Sequence, residues 1–327
     1  MNKSLGLWLV LVLTLGLFVT SCEKEITVDL PTVESKVVVQ GSIEQGQPPF
    51  VLLSESQGYF EPTDISSLES YFLRDAAVTV SYNSNEIMLD EICSSDIPEE
   101  LLPAVTEITG FSAELLAAVD ICAYTVIDGS LLGETNTIYD LEVQHNGRIA
   151  TSRTKINELV TLDSAYFQLT GTSDSLGFAY AQLTDPDTIG NAYRWFAQRI
   201  NRYPEWSENA GEQKDATYIA PLGSSYDDEF FNGLSFEFAY YRGLLLNSDK
   251  EDDLNEERGF FKVGDTIAVR GCHIDRAVYE FITSFENQVG NQGSPFAVPT
   301  NVETNVEGGL GAWIGYAASY DTIICVP

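Results

Sequence analysis

Residues 137–151 have the sequence TIYDLEVQHNGRIAT, in which apolar and polar side chains alternate on both sides of Asn146-Gly147. Alternation places successive side chains on opposite faces of a strand, and Asn-Gly favours a tight hairpin turn. The stretch therefore predicts a β-hairpin. Residues 77–89, AVTVSYNSNEIML, predict a second hairpin with a three-residue loop, 83–85. Short strands with regular turns predict an antiparallel, immunoglobulin-like β-sandwich for residues 35–158.

The stretch from Pro98 to Cys122 departs from this alternation. Its apolar residues recur every three to four positions, which is typical of helices. Gly110 divides the stretch, and Ser112 can cap the second part because a serine hydroxyl accepts a hydrogen bond from the first helical turn. We therefore predict a helical insertion of two short helices at residues 98–122 of the first domain.

The second half of the chain also favours strands. Alternating or apolar runs occupy residues 165–169, 178–183, 192–198 and 234–240, and a helical spacing of apolar residues follows Asp275. The predicted fold class is mainly β, with two β-sandwich-like domains. They divide near residue 158, and residues 159–327 form the C-terminal β-rich domain.

The composition excludes several classes of protein. Hydrophobic residues make up 44% of the 327 residues, which is enough for a packed core and argues against wholesale disorder. The net charge of -32 repels phosphate backbones, so we expect no nucleic-acid partner. Two His and five Cys leave few ligands for a transition metal or haem, so we expect neither a metal site nor a cofactor.

The N-terminus predicts export and lipidation. Lys3, an apolar run and a small-residue stop are typical of a secretory signal peptide, here residues 1–21. The segment Val19-Thr20-Ser21-Cys22 resembles the bacterial lipobox, in which the cysteine becomes the lipidated first residue. An ordinary cleaved signal without a lipid is the alternative. Residues 22–34 are then a tether.

The residues after Cys22 bear on localisation. The segment Glu23-Lys24-Glu25 resembles the signal that exports Bacteroidota lipoproteins to the cell surface. We therefore expect a protein that the lipid on Cys22 holds in the outer membrane, exposed at the cell surface. The periplasmic face of the membrane, with a simply solvated tether, is the alternative.

The four remaining cysteines predict disulfides, because an exported chain with an even number of cysteines usually forms them. We expect Cys93 to pair with Cys122 and Cys272 with Cys325, since each bridge then stays within one half of the chain. Crossed pairings would instead join the two halves. A metal site is disfavoured because no CxxC spacing occurs.

The sequence offers no clear catalytic residue. A Gly-x-Ser-x-Gly motif is absent, His145 adjoins the hairpin turn, and His273 adjoins Cys272 on a predicted strand where neighbours face opposite ways. Carboxylate pairs of the glycosidase kind stay open, because 49 acidic residues make many accidental pairs. The acidic loop 249–257 lacks the spacing of a calcium loop, and both calcium binding and a merely solvated loop remain open.

Several short motifs occur in an order that resembles a known family. They are Val38-Val39-Gln40-Gly41-Ser42-Ile43, Tyr139-x-Leu141-x-Val143, Asp185-Pro186 before Asn191-Ala192-Tyr193-Arg194, Gly264-Asp265-Thr266, and Asn305-x-x-Gly308-Gly309-Leu310-Gly311. This order resembles the Bacteroidota outer-membrane lipoprotein family catalogued as domain of unknown function 4249. Members tend to be encoded near TonB-dependent receptors, so the resemblance implies an accessory role at the outer membrane. It brings no catalytic residues.

We therefore expect a non-enzymatic outer-membrane lipoprotein that is an accessory or ligand-capture partner of a TonB-dependent transporter. A surface structural or adhesive module without a transporter is one alternative, and an exported hydrolase is another. The helical insertion is the candidate contact for a partner, because two short helices need a surface to pack on. Its predicted partner-binding residues are Leu101, Leu102, Phe111 and Leu115.

Overall fold

The computed structural model describes residues 34–58, 68–201, 215–243, 259–291 and 301–327. The predicted signal peptide, Cys22, the tether up to residue 33 and the acidic loop 249–257 lie outside these ranges. Within the ranges, no helix combines the length and the apolarity that crossing a membrane would require.

The described residues are mainly β, as the sequence predicts. The first half contains β1 (Val37–Glu44), β2 (Phe50–Glu55), β3 (Ala77–Tyr82), β4 (Asn85–Met88), β5 (Asp90–Cys93), β6 (Cys122–Thr125), β7 (Thr137–His145) and β8 (Arg148–Ile156). The second half contains β9 (Leu162–Leu169), β10 (Leu176–Thr184), β11 (Ala192–Arg199), β12 (Ser225–Asp227), β13 (Ser235–Tyr240), β14 (Phe261–Lys262), β15 (Thr266–Ile274), β16 (Val306–Glu307) and β17 (Leu310–Ile324). The helices are α1 (Leu102–Thr109), α2 (Ala113–Ala118) and α3 (Arg276–Gly290), with 3-10 turns at Glu69–Tyr71, Ser94–Asp96 and Glu99–Leu101.

An eight-stranded sheet organises the fold, in the order β12-β11-β15-β17-β1-β2-β6-β5. Its central pair, β1 and β17, is parallel, and Val38 lies opposite Leu310. The predicted boundary near residue 158 falls in the loop between β8 and β9, but the sheet takes strands from both sides of it. The two sandwich-like halves therefore share one sheet.

Two smaller sheets pack on the same face of the large sheet. The five-stranded sheet, β16-β8-β7-β3-β4, packs its Tyr139 and Leu141 against Trp313 and Val39 of the large sheet. A four-stranded sheet of β9, β10, β13 and β14 forms a second core, in which Ala181 packs with residues such as Trp195 of the large sheet. Each half thus buries its own apolar interior against the shared sheet.

Helices cover the opposite face of the large sheet, which we call the helical face. The insertion packs Leu116 and Val119 against Leu52 of β2, and α3 packs Val278 and Ile282 against residues such as Ile274 of β15. The predicted insertion is confirmed: α1 and α2 flank residue 110, a glycine at φ +74°. The Ser112 hydroxyl accepts a hydrogen bond from the Leu115 N–H, as expected of a cap.

Both predicted hairpins form. Asn146 and Gly147 have φ angles of 49° and 79°, so the turn between β7 and β8 has the two positive φ values that Asn-Gly favours. The turn between β3 and β4 is one residue shorter than predicted, because Tyr82 pairs directly with Asn85. Its two residues, 83 and 84, both adopt positive φ.

One of the two predicted disulfides forms. Cys93 and Cys122 lie directly opposite each other on β5 and β6, and their sulfur atoms are bonded. The bridge closes the base of the insertion, which lies between the two cysteines in the sequence. The prediction for this pair is therefore confirmed.

The second predicted bridge is wrong. Cys272 and Cys325 are both buried and are not joined to each other. The register of β15 and β17 pairs Cys272 with Ala318, whereas the Cys325 N–H bonds the carbonyl of Asp265, seven positions before Cys272. That separation is about 23 Å along a strand, far beyond the roughly 4–7 Å between Cα atoms that a disulfide requires. Sequence spacing did not reveal this register.

A candidate ligand-binding cavity

The helical face carries a cavity of about 940 Å³ between the insertion and the outward side chains of β11, β15 and β17. Strand alternation places these side chains there: Ile267 and Val269 of β15 point into the core beneath the sheet, so Arg270 points to the helical face. The cavity therefore lies at the junction of the two halves of the shared sheet.

Most of the cavity wall is apolar. The insertion contributes Val105, Ile108, Phe111 and Leu116, and the sheet contributes residues such as Leu52. Ile108 and the loop residue Ile127 stand at the rim and remain 68% and 74% exposed. Large apolar side chains that line a cavity and stay in water are a feature of binding surfaces.

The floor of the cavity holds a charged side chain that packs against two aromatic rings. Strand register sets Phe196 opposite Arg270, and Arg270 opposite Tyr320, in one row across the sheet. The guanidinium carbon of Arg270 lies 4.7 Å from the ring centroid of Phe196 and 4.6 Å from that of Tyr316. A desolvated cation gains about 2 kcal/mol from a contact with an aromatic face. The rings therefore help to retain Arg270 in an apolar setting.

Glu44 completes the polar floor. It ends β1 and lies opposite Tyr316 in the parallel ladder, which brings it next to Arg270. Its carboxylate accepts hydrogen bonds from Arg270 Nη2 and from the Tyr320 hydroxyl. The side chains of Arg270 and Glu44 are only 15% and 12% exposed. A buried pair of opposite charges, with a third group bonded to it, is costly to break.

The protonation states follow from this environment. Burial disfavours the charged form of Arg270, but the carboxylate of Glu44 favours it, and the pKa of Arg270 is raised overall, so the guanidinium stays charged. Burial is also the main reason why the pKa of Tyr320 is raised, with the hydrogen bond to Glu44 acting in the same direction. Tyr320 therefore remains a hydrogen-bond donor, and the floor is a polar but neutral pair.

Arg270 has donors that its own chain leaves unused. Among the described residues, only Glu44 accepts a hydrogen bond from its guanidinium, through Nη2. Nε is buried without an acceptor, and Nη1 makes no hydrogen bond within the described ranges. A guanidinium can donate five hydrogen bonds, so the cavity floor retains donor capacity for a bound molecule.

The predicted partner-binding residues lie close to this cavity. Leu102 and Leu115 pack in the cluster between the insertion and β2, and Phe111 lines the cavity with its ring 6.3 Å from that of Phe72. Leu101 points outward and is 52% exposed. The insertion thus folds onto its own sheet, and a partner contact through these residues stays a prediction.

Sequence reasoning missed the polar floor. The available signal was Arg270, a charged residue at the end of the largely apolar segment Thr266-Ile267-Ala268-Val269-Arg270. Its partner Glu44 could not be found in the same way, because the two residues are 226 positions apart and meet only through the pairing of β1 with β17.

The histidines form no catalytic pair in the described residues. His273 is buried, stacks on Tyr193 with ring centroids 5.2 Å apart, and its Nδ1 lies 2.8 Å from the carbonyl oxygen of Glu158. Burial lowers the pKa of His273. Cys272 points to the opposite face of the sheet, where burial raises the pKa of its thiol to about 12. A neutral imidazole and a protonated thiol on opposite faces cannot act together.

In the described part of the chain, two aspartates near possible sites, Asp120 and Asp185, are not ligands of a site. Asp120 lies near Cys93 and Cys122 at a spacing that a metal ion could bridge, but both sulfur atoms are used in the disulfide. Asp185 accepts hydrogen bonds from the Tyr193 hydroxyl and the Gly233 N–H. The Asp185 carboxylate therefore ties the end of β10 to β11 and to the loop before β13.

Most of this chain matches a known protein family. Residues 23–321 match the family described as "Domain of unknown function (DUF4249)". The chain therefore belongs to this family, and the match covers both halves of the shared sheet. No curated protein matches the chain.

Proposed function

We propose that this protein is a non-enzymatic lipoprotein of the outer membrane that captures a ligand in the cavity on its helical face and assists a TonB-dependent transporter. The cavity carries the proposal. Small-molecule sites are typically concave, of about 300–1,000 Å³, mostly apolar, and equipped with a few placed polar groups. The cavity of about 940 Å³, with the buried ion pair of Arg270 and Glu44 on its floor, has this character.

A binding role fits the chemistry of the cavity better than catalysis does. The strongest acid and base on its floor, Glu44 and Arg270, are bonded to each other. Such a pair can hold and orient a molecule, but neither partner is available to transfer a proton. This supports capture over an exported hydrolase.

The membrane location rests on the sequence. The lipobox-like segment before Cys22 supports a lipid anchor, and two or more acyl chains on one residue give stable attachment. Cys22→Ala should therefore leave unprocessed precursor or a soluble protein in cell fractions. The lipid anchor would be refuted if this variant fractionated with the outer membrane like the wild type and no acyl group were detected on either protein.

Co-purification tests the transporter role. We expect the full-length protein, tagged at the C-terminus and extracted from native outer membranes in mild detergent, to retain a TonB-dependent transporter. Ile127→Asp, at the rim of the cavity, should test whether the rim is part of the contact. The matched control is Ile189→Asp, which alters a loop isoleucine that is 89% exposed and does not line the cavity. Recovery of the lipidated protein without any transporter would favour a structural or adhesive module.

A further inference from the structure

We propose that the cavity takes an uncharged, largely apolar molecule that carries a carbonyl oxygen, and that Arg270 donates a hydrogen bond to this oxygen. This inference names the ligand class for the capture site and so rests on the proposed function. It follows from the polarity of the wall, the charge balance of the floor and the geometry of the guanidinium.

The wall selects for an apolar body. Phe50 and Leu52 of β2, together with Val105, Phe111 and Leu116 of the insertion, present carbon surface to the cavity. Burying apolar surface against them stabilises a complex by about 25 cal/mol for each Å² removed from water. The exposed rim residues Ile108 and Ile127 would gain from the same contact.

The floor disfavours charged ligands. Glu44 neutralises Arg270, so an anionic group that approaches the guanidinium also meets a carboxylate. A cationic group that approaches Glu44 finds the carboxylate already bonded to Arg270 and to the Tyr320 hydroxyl. The net charge of -32 on the chain adds a general repulsion of anions. An uncharged occupant avoids each of these costs.

The geometry of Arg270 specifies a hydrogen-bond acceptor. Phe196 and Tyr316 lie edge to face beside the guanidinium, with their ring centroids 5.9 Å apart, and each ring contacts it. Nη2 is bonded to Glu44 and Nε is buried, which leaves Nη1 for the ligand. A carbonyl oxygen, as found in amides, esters and ketones, accepts such a bond without bringing a charge.

Three fluorescent probes test the ligand class on the mature chain, residues 22–327, with Cys22→Ala so that no lipid competes. N-phenyl-1-naphthylamine is uncharged, and 1-anilinonaphthalene-8-sulfonate has the same aromatic body with an anionic group. We expect the uncharged probe to bind at least about tenfold more tightly than the sulfonate, because the sulfonate must sit next to Glu44. Equal affinities would overturn the inference that the occupant is uncharged.

Cavity-filling variants test the location. Ser42→Phe and Ala123→Phe each place a ring in the cavity from a different strand and leave the ion pair in place. Either variant should weaken N-phenyl-1-naphthylamine at least about tenfold by excluding it from the cavity, whereas the control Ile189→Asp should not. Thermal melting shows whether each variant folds. If one of them does not, the binding result of the other variant is used. Unchanged binding in a folded filling variant would place the probe elsewhere and overturn the inference.

The third probe, 6-propionyl-2-dimethylaminonaphthalene, carries a ketone carbonyl and tests the role of Arg270. In the double variant Glu44→Gln/Arg270→Met, which leaves no buried charge unpaired, its affinity should fall about fivefold, as expected for one lost hydrogen bond. N-phenyl-1-naphthylamine, which has no carbonyl, should be affected less than about twofold. Equal losses for the two probes would overturn the carbonyl contact.

The transporter role and the ligand class can be refuted independently of each other. Retention of a transporter by a protein that binds neither uncharged probe would refute the ligand class and leave the transporter role. Specific binding of the uncharged probes by a protein that retains no transporter would refute that role and leave the ligand class.

Discussion

Replacing Arg270 by Met should destabilise the protein strongly, because Glu44 would remain buried without its cationic partner. Both side chains are largely buried, with exposures of only 15% and 12%. Removing one partner of a buried pair costs about 3–5 kcal/mol. The Tyr320 hydroxyl continues to donate to Glu44, so the lower part of this range, about 3 kcal/mol, is the expected loss in the free energy of unfolding.

The double variant Glu44→Gln/Arg270→Met separates the cost of an unpaired charge from the loss of packing. The amide that replaces the carboxylate would still accept a hydrogen bond from Tyr320, and the methionine side chain would retain apolar contacts with the rings of Phe196 and Tyr316. We expect a loss of about 1 kcal/mol for the double variant, which is about 2 kcal/mol less than for Arg270→Met alone.

Urea unfolding, followed by the fluorescence of the buried Trp195 and Trp313, measures these differences. Arg153→Met is the matched control, since Arg153 forms an exposed pair with Asp140 on β7 and β8, and its urea midpoint should barely move. An Arg270→Met variant as stable as this control would show that the ion pair is not the buried, coupled unit described above.

Three further predictions concern the disulfide, Cys272 and His273. Replacing both Cys93 and Cys122 by Ala should lower the free energy of unfolding by about 3–4 kcal/mol, because the bridge restricts a loop of 29-residue separation in the unfolded chain. It should also weaken probe binding, because the bridge closes the base of the insertion. Undiminished stability would contradict this prediction. Cys272 should react with iodoacetamide only after unfolding, without any reductant, as mass spectrometry can check; modification of the folded protein would contradict its burial. The lowered pKa of His273 means that the unfolded chain binds a proton which the folded chain does not, so stability should fall as the pH drops below the ordinary value of 6.5. His273→Gln should reduce this dependence between about pH 7.5 and about pH 5.5, and an unchanged slope would contradict the assignment.

Local features of this fold were predictable from the sequence. The hairpin of β7 and β8 follows from the alternation around Asn146-Gly147, and the two helices of the insertion follow from apolar spacing, Gly110 and the Ser112 cap. The bridge between Cys93 and Cys122 was also predictable, because it joins strands that flank one insertion. Each of these features depends on residues that are close in sequence.

Features that depend on strand register were not predictable. The pairing of β1 with β17 determines that the halves share a sheet, and no local pattern specifies that pairing. The register of the neighbouring strands separates Cys272 from Cys325, and the shared sheet brings Glu44 to Arg270. The candidate site was missed for this reason, since its polar floor is assembled from strands of both halves.

The parallel pairing of β1 with β17 also constrains the order in which the protein can fold. Gln45, just after β1, bonds Ala318 at a sequence separation of 273 positions, so the centre of the large sheet forms only when nearly the whole chain is present. Contacts between distant residues slow folding, because the chain entropy of a long loop is lost before the contact forms. β1 is synthesised early, but it can pair with β17 only when the C-terminal part of the chain is present. A chain that ends before residue 310 would lack the strand that joins its two halves, and both β1 and β15 would be left with an open edge, of the kind that promotes aggregation.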